Sequence, residues 1–147
     1  MILDGLLLFD TALALTSDQV STNVIDLQNA RDMGIGDPEM KLVVTVGTTF
    51  ASTTTSTLVI SFQGSTDNST FTTMALSPSI AKASMVANAR LWDTVIPRIV
   101  PGQALPRYLR LSYDVVTADF TAGTITAALV LDRNDQVYYR AGVQVVN

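Results

Sequence analysis

The chain has 147 residues, 48% of them hydrophobic, with a mean hydropathy of +0.33, which fits one domain spanning residues 1–147 around a single core. Charged residues make up only 15%, against about 25% in an average soluble domain, so the surface either carries Thr and Ser on its wet strand faces or leaves apolar area for another protein to cover. A net charge of −4 disfavours binding to nucleic-acid phosphates, and the absence of both cysteine and histidine removes disulfides, thiolate and imidazole metal sites, thiol catalysis and the Ser-His-Asp triad.

The apolar opening, with Ile2, Leu3, Leu6, Leu7, Leu8 and Phe9, lacks a basic flank, is interrupted by Asp4 and ends at Asp10. It therefore reads as an arm or first strand and not as a targeting segment. No stretch approaches the ~20 apolar residues of a membrane span, so no membrane partner is expected. Ser21 to Leu27 is an expected strand. Asn29 to Met40, with Gly34, Gly36 and Pro38, is an expected long irregular loop.

Lys41 to Val46 is more continuously apolar and so is expected as a central strand. Thr57 to Gln63 alternates, with Leu58, Ile60 and Phe62 on one face; a turn over Gly64 to Ser69 and a resumed extended run from Phe71 to Met74 make a hairpin. Ala81 to Ala89 is mildly compatible with a helix and suits a crossover between sheets. Leu91 to Ile96 follows as a strand, and Pro97, Pro101 and Pro106 bracket a loop.

Arg107 to Val116 has the clearest period of two, with Leu109, Leu111, Tyr113 and Val115 alternating with Tyr108, Arg110, Ser112 and Asp114. Thr124 to Leu131 reads as a second central strand, followed by a turn over Asp132 to Asp135 and strands at Val137 to Tyr139 and Val143 to Val146. About eight short antiparallel strands with long irregular loops and no intervening helices predict an all-β sandwich or barrel.

Candidate chemistry is sparse. Asp26 with Asp32, or Asp132 with Asp135, would be the available acid/base pairs, but each lies among turn-forming residues, and a turn or salt-bridge role is the ordinary reading. Asp67 to Thr70 and Asp132 to Asp135 supply oxygens for Ca²⁺ without the spacing of an EF-hand loop. Gly34-Ile35-Gly36 has no strand-loop-helix unit around it. Trp92 is a sugar-stacking platform, an interface anchor or a core residue; Arg110 either joins Arg107 in a partner-facing patch or pairs with Asp114. No catalytic, cofactor-binding or metal-binding residue is assigned, and no cofactor is expected.

Thr22 to Leu27 running into Asn29 to Asp37 resembles the N-terminal signature of the capsid cement, or decoration, proteins of short-tailed bacteriophages. Gln63 to Thr70, Pro101 to Leu111, and Thr121 to Thr124 through Leu131 to Arg133 continue the likeness in the same order over nearly the whole chain. The resemblance implies a jelly-roll β-sandwich that is a structural virion protein and not an enzyme. Made in the host cytoplasm, it would sit on the outside of an icosahedral shell, bridging capsomers of the major capsid protein. Repeated binding at symmetry-related sites favours a homo-oligomer, a dimer in preference to a trimer. Candidate partner-binding residues are Ile2, Leu3, Leu6 and Phe9 in the opening run and Arg31, Met33 and Ile35 in the glycine-flexed loop. The alternatives are another head or tail component of a phage, or a carbohydrate-binding module.

Overall fold

The computed structural model describes residues 4–28, 40–96 and 104–131. Within them the chain forms ten strands: β1 (Leu8–Ala14), β2 (Gln19–Val20), β3 (Ile25–Asp26), β4 (Lys41–Ala51), β5 (Thr57–Ser65), β6 (Thr72–Leu76), β7 (Ile80–Ala81), β8 (Arg90–Val95), β9 (Tyr108–Val116) and β10 (Ala122–Val130). The only helical elements among these residues are 3₁₀ turns at Gly5–Leu7 and Lys82–Ser84. The first sheet runs β1-β10-β4-β8, and the second has β2-β9-β5-β6 as its spine, all antiparallel.

Two pairs of short strands share one position each. β2 and β3 both lie against β9, and β6 and β7 both lie against β5. With each pair counted as one interrupted strand, the eight positions follow the order 1-8-3-6 in one sheet and 2-7-4-5 in the other. Apart from the β5–β6 hairpin, successive positions thus cross between the sheets in the jelly-roll manner, as the resemblance implied. The Lys82–Ser84 turn lies on one such crossover, from β7 to β8, the role expected for this weakly helix-compatible stretch.

Alternation sets the core. Leu42, Val44 and Val46 of β4, Ile125, Ala127 and Leu129 of β10, and Trp92 of β8 face Leu58, Ile60 and Phe62 of β5 and Leu109, Leu111 and Tyr113 of β9 in one buried cluster. Phe9 meets Phe62 edge to face across it, with ring centroids 6.2 Å apart. Trp92 is therefore a core residue. β4 and β10 are central in their sheet, and the continuous hydrophobicity that predicted this has a physical cause. Val43, Ala128 and Val130 point to the opposite face of the same strands, where they form a second buried cluster with Leu8.

Several expectations need correction. Ser21 to Leu27 does not form one strand: two short pairings, at Gln19–Val20 and Ile25–Asp26, flank an irregular stretch in which the Ser21 hydroxyl donates to the Asn23 carbonyl. The hairpin turn begins after Ser65 and not at Gly64, because Gly64 and Ser65 still pair with Leu109 and Tyr108 of β9. The predicted loop from Asn29 and the strands beyond Leu131 lie outside the described residues.

Candidate functional site

Strand register places a defined set of chain ends at one pole of the sandwich. Lys41 at the start of β4 pairs with Val95 at the end of β8 and with Val130 at the end of β10. Leu8 pairs with Ala128, and Asp26 at the end of β3 pairs with Tyr108 at the start of β9, which also faces Ser65 at the head of the β5–β6 hairpin. The opposite pole holds the β1–β2, β4–β5, β7–β8 and β9–β10 connections.

The candidate contact residues distribute unevenly over this frame. Leu6, in the turn ahead of β1, is 84% exposed. Leu131 and Val95, at the ends of β10 and β8, are exposed at the same pole. Phe9 is not available to a partner: it is fully buried, because strand alternation turns it inward against Phe62. Its assignment to a contact surface is corrected accordingly. Ile2, Leu3, Arg31, Met33 and Ile35 lie outside the described residues. Asp4, Gln28 and Met40, which flank the two candidate contact elements in sequence, all lie at this pole.

The polar groups at this pole hold its framework. Arg107 donates to Asp26 through Nε at 2.7 Å and Nη2 at 2.8 Å, a two-pronged pair between β3 and the residue preceding β9. That donation, helped by the backbone N–H of Gln28, lowers the Asp26 carboxyl to about 2. Asp26 thus has Arg107 as a salt-bridge partner, and its candidate companion Asp32 lies outside the described residues, as do Asp132 and Asp135. The Arg107 guanidinium also stacks on Tyr108, 4.9 Å from the ring centroid.

Arg110 does not pair with Asp114. Its Nε donates to Gln63 at 2.8 Å while the guanidinium lies 3.8 Å from the Phe71 centroid, joining β9 to the hairpin across β5. Asp67 accepts from the Ser65 hydroxyl and from the backbone N–H groups of Ser69 and Thr70. Those two N–H groups and that hydroxyl lower its carboxyl to about 2. This is the internal bonding of a hairpin turn, with Asp67 as its acceptor. No group of three or more carboxylates that could hold a metal ion occurs among the described residues.

A cavity of about 310 Å³, not foreseeable from local sequence, lies between the hairpin and the Ala104–Pro106 segment, lined by Gly64, Ser65, Thr70, Thr72, Met74 and Pro106 among others. Met74 is the extra residue of a bulge, since Phe62 pairs with Ala75 and Gln63 with Thr73. A Cβ at Gly64 would lie 2.8 Å from Pro106 Cβ and 2.9 Å from Met74 Sδ, so glycine is what lets these two side chains close over β5.

In comparisons with known proteins, the Bbp16 family model matches residues 9–129. That interval runs from β1 through nearly all of β10 and so covers every position of the jelly roll. No curated protein matches the chain.

Proposed function

The chain belongs to the Bbp16 family, a phage-linked family, and from that premise we propose that it is a non-catalytic structural protein of the virion, acting as a cement on the outside of the capsid. In this reading the pole bearing Leu6, Val95 and Leu131 meets the major capsid protein. The jelly roll is the rigid body that carries the contact elements, and a homodimer multiplies the contacts by avidity.

One observation carries the proposal. The opening run and the loop between Gln28 and Met40, read from the sequence as contact elements, flank in sequence residues at one end of the sandwich, where Leu6, Val95 and Leu131 are exposed. Exposed apolar side chains at that end of a weakly charged protein suit attachment to another protein surface, and others, among them Val86 and Val116, are exposed at the opposite pole. The host-made shell supplies such a surface in many copies.

The test is a binding assay of the purified chain on shells of its own phage, before and after expansion. Cement activity predicts strong retention on expanded shells and little on precursor shells; equal retention on both contradicts it. Met33→Asp combined with Ile35→Asp should abolish retention with the fold intact, and unchanged retention excludes the loop as a contact.

A further inference from the structure

Among the described residues each sheet has two edges, and three of the four carry devices that oppose further pairing. On β1, Asn23 donates through its backbone N–H to the Phe9 carbonyl and through Nδ2 to the Leu8 carbonyl, while Gln19 Nε2 takes the Ala14 carbonyl. β2 and β3 are two residues long each, and β3 carries the Asp26–Arg107 pair. β8 carries Arg90 and Asp93, which approach to 3.6 Å. Short strands, charges and covering groups are the usual devices that keep sheet edges from adding strands.

β6 carries no charge and no covering side chain, and its one irregularity is the bulge at Met74. It is five residues long, and no charged side chain occurs between Asp67 and Lys82. Among the described residues β5 is its only strand neighbour, so alternate peptide groups face outward. Thr72 and Thr73 are exposed, and Leu76 at the far end is 62% exposed. The bulge at Met74 interrupts the edge but directs that side chain over Gly64, into the wall of the cavity.

The edge and the cavity share Thr72, Thr73 and Met74. A sugar would use the cavity alone. A polypeptide in extended form uses both, with main-chain bonds to the edge and alternate side chains directed at the recess. The cavity walls are hydroxyls, a thioether and a proline without charge, which selects an uncharged segment.

We propose that the β6 edge receives an extended, uncharged segment of a partner polypeptide, which adds to the second sheet as a further strand and seats one side chain in the cavity beside Gly64. This rests on the cement reading, in which the segment belongs to the shell protein, and it names a contact separate from the apolar patch of Leu6, Val95 and Leu131.

The test uses the full chain and expanded shells. Thr73→Lys with Leu76→Lys places charges on exposed edge positions and should weaken shell binding by about tenfold or more. In the wild-type complex, amide hydrogen exchange over residues 72–76 should slow relative to the free protein. Equal binding of the variant, or unchanged exchange on the bound shell, overturns the edge contact while leaving the cement reading in place. Failure of the wild-type chain to bind shells overturns both. Slowing that grows with protein concentration in the absence of shells identifies a second copy as the occupant and also overturns the proposal. So does slowing confined to Ser65 and Thr70 on addition of a glucose and galactose mixture.

Discussion

The Tyr113 hydroxyl donates a 2.6 Å hydrogen bond to Asp10 Oδ2 inside the core, where both residues are fully buried. Asp10 Oδ1 accepts from the Thr22 backbone N–H at 2.7 Å, so three segments from both sheets meet at one carboxylate. Regular alternation would turn Asp10 to solvent once Phe9 is turned in. Register irregularities on both sides of Asp10, and a φ of 49° at Ala12, bend β1 so that both residues enter the interior.

Removal of one partner from this buried group leaves the other without its bond. Tyr113→Phe is expected to lower stability by about 1.5–3 kcal/mol, the range for a hydrogen bond to a charged group. Asp10→Ala should lower it further, because it strands both the Tyr113 hydroxyl and the Thr22 N–H. Urea denaturation of the two variants and of the double variant measures this, and strictly additive losses would show that the two residues do not act as a pair.

The same contact makes stability fall at alkaline pH. Burial first, then the Asp10 charge and the hydrogen bond to it, raise the Tyr113 hydroxyl well above 10.0. Below the unfolded tyrosine value of about 10 both states hold the proton and the stabilisation is complete. Above it the unfolded chain releases the proton while the fold retains it, so stability declines as pH rises toward the folded value. Tyr113→Phe should remove this part of the slope in denaturation measured across the alkaline range, and an unaltered slope refutes the assignment.

At the acid end the relevant group is Asp26. Its carboxyl is held at about 2 by the Arg107 side chain and the Gln28 N–H, so whatever the pair contributes is present above the unfolded carboxylate range and is lost as pH falls toward that value. Both side chains are solvent-exposed, which keeps the effect small and salt-sensitive. In carboxyl-detected NMR, Arg107→Gln should move the Asp26 midpoint up toward 3.8, and a midpoint that stays near 2 would assign the shift to another cause.

Gly123 has a φ of +143°, and a Cβ there would collide with the Phe50 ring. Phe50 is itself held against Phe120 at 4.9 Å between ring centroids, so it has nowhere to retreat. Gly123→Ala should destabilise by about 2–4 kcal/mol, combining backbone strain with overpacking. Gly5→Ala meets nothing within 4 Å and should change stability by less than about 0.5 kcal/mol. Equal melting temperatures for the two variants would contradict the close approach.

How much of this was legible beforehand depended on the range of the contacts. The period of two in Thr57 to Gln63 and Arg107 to Val116 identified Leu58, Ile60, Phe62, Leu109, Leu111 and Tyr113, all now in the core, because alternation is a local property. The expected Arg110–Asp114 pairing fails because local sequence shows only neighbours on the same strand, while the partners of Arg110, Gln63 and Phe71, come from β5 and the hairpin end. The burial of Asp10 was invisible, since its partner lies 103 residues away. The covered β1 edge and the β6 edge, whose only strand neighbour among the described residues is β5, were equally hidden, because strand neighbours follow from topology and not from any one segment.

The opening apolar run divides sharply between two roles, and this gives a direct test of the contact surface. Leu6 and Phe9 are three positions apart. Leu6 is 84% exposed, whereas Phe9 is fully buried against Phe62. Phe9→Ala removes a packed ring from the centre of the sandwich and should lower stability by about 3–5 kcal/mol, reducing shell binding only in proportion to the folded fraction. Leu6→Asp touches no core residue and should leave the denaturation midpoint within about 0.5 kcal/mol of wild type, while placing a charge in the apolar patch and weakening binding to expanded shells. Denaturation and shell-binding curves on both variants separate the roles. If Leu6→Asp binds as wild type does, the pole with Val95 and Leu131 is not the docking face, and the apolar surface there is ordinary exposed area.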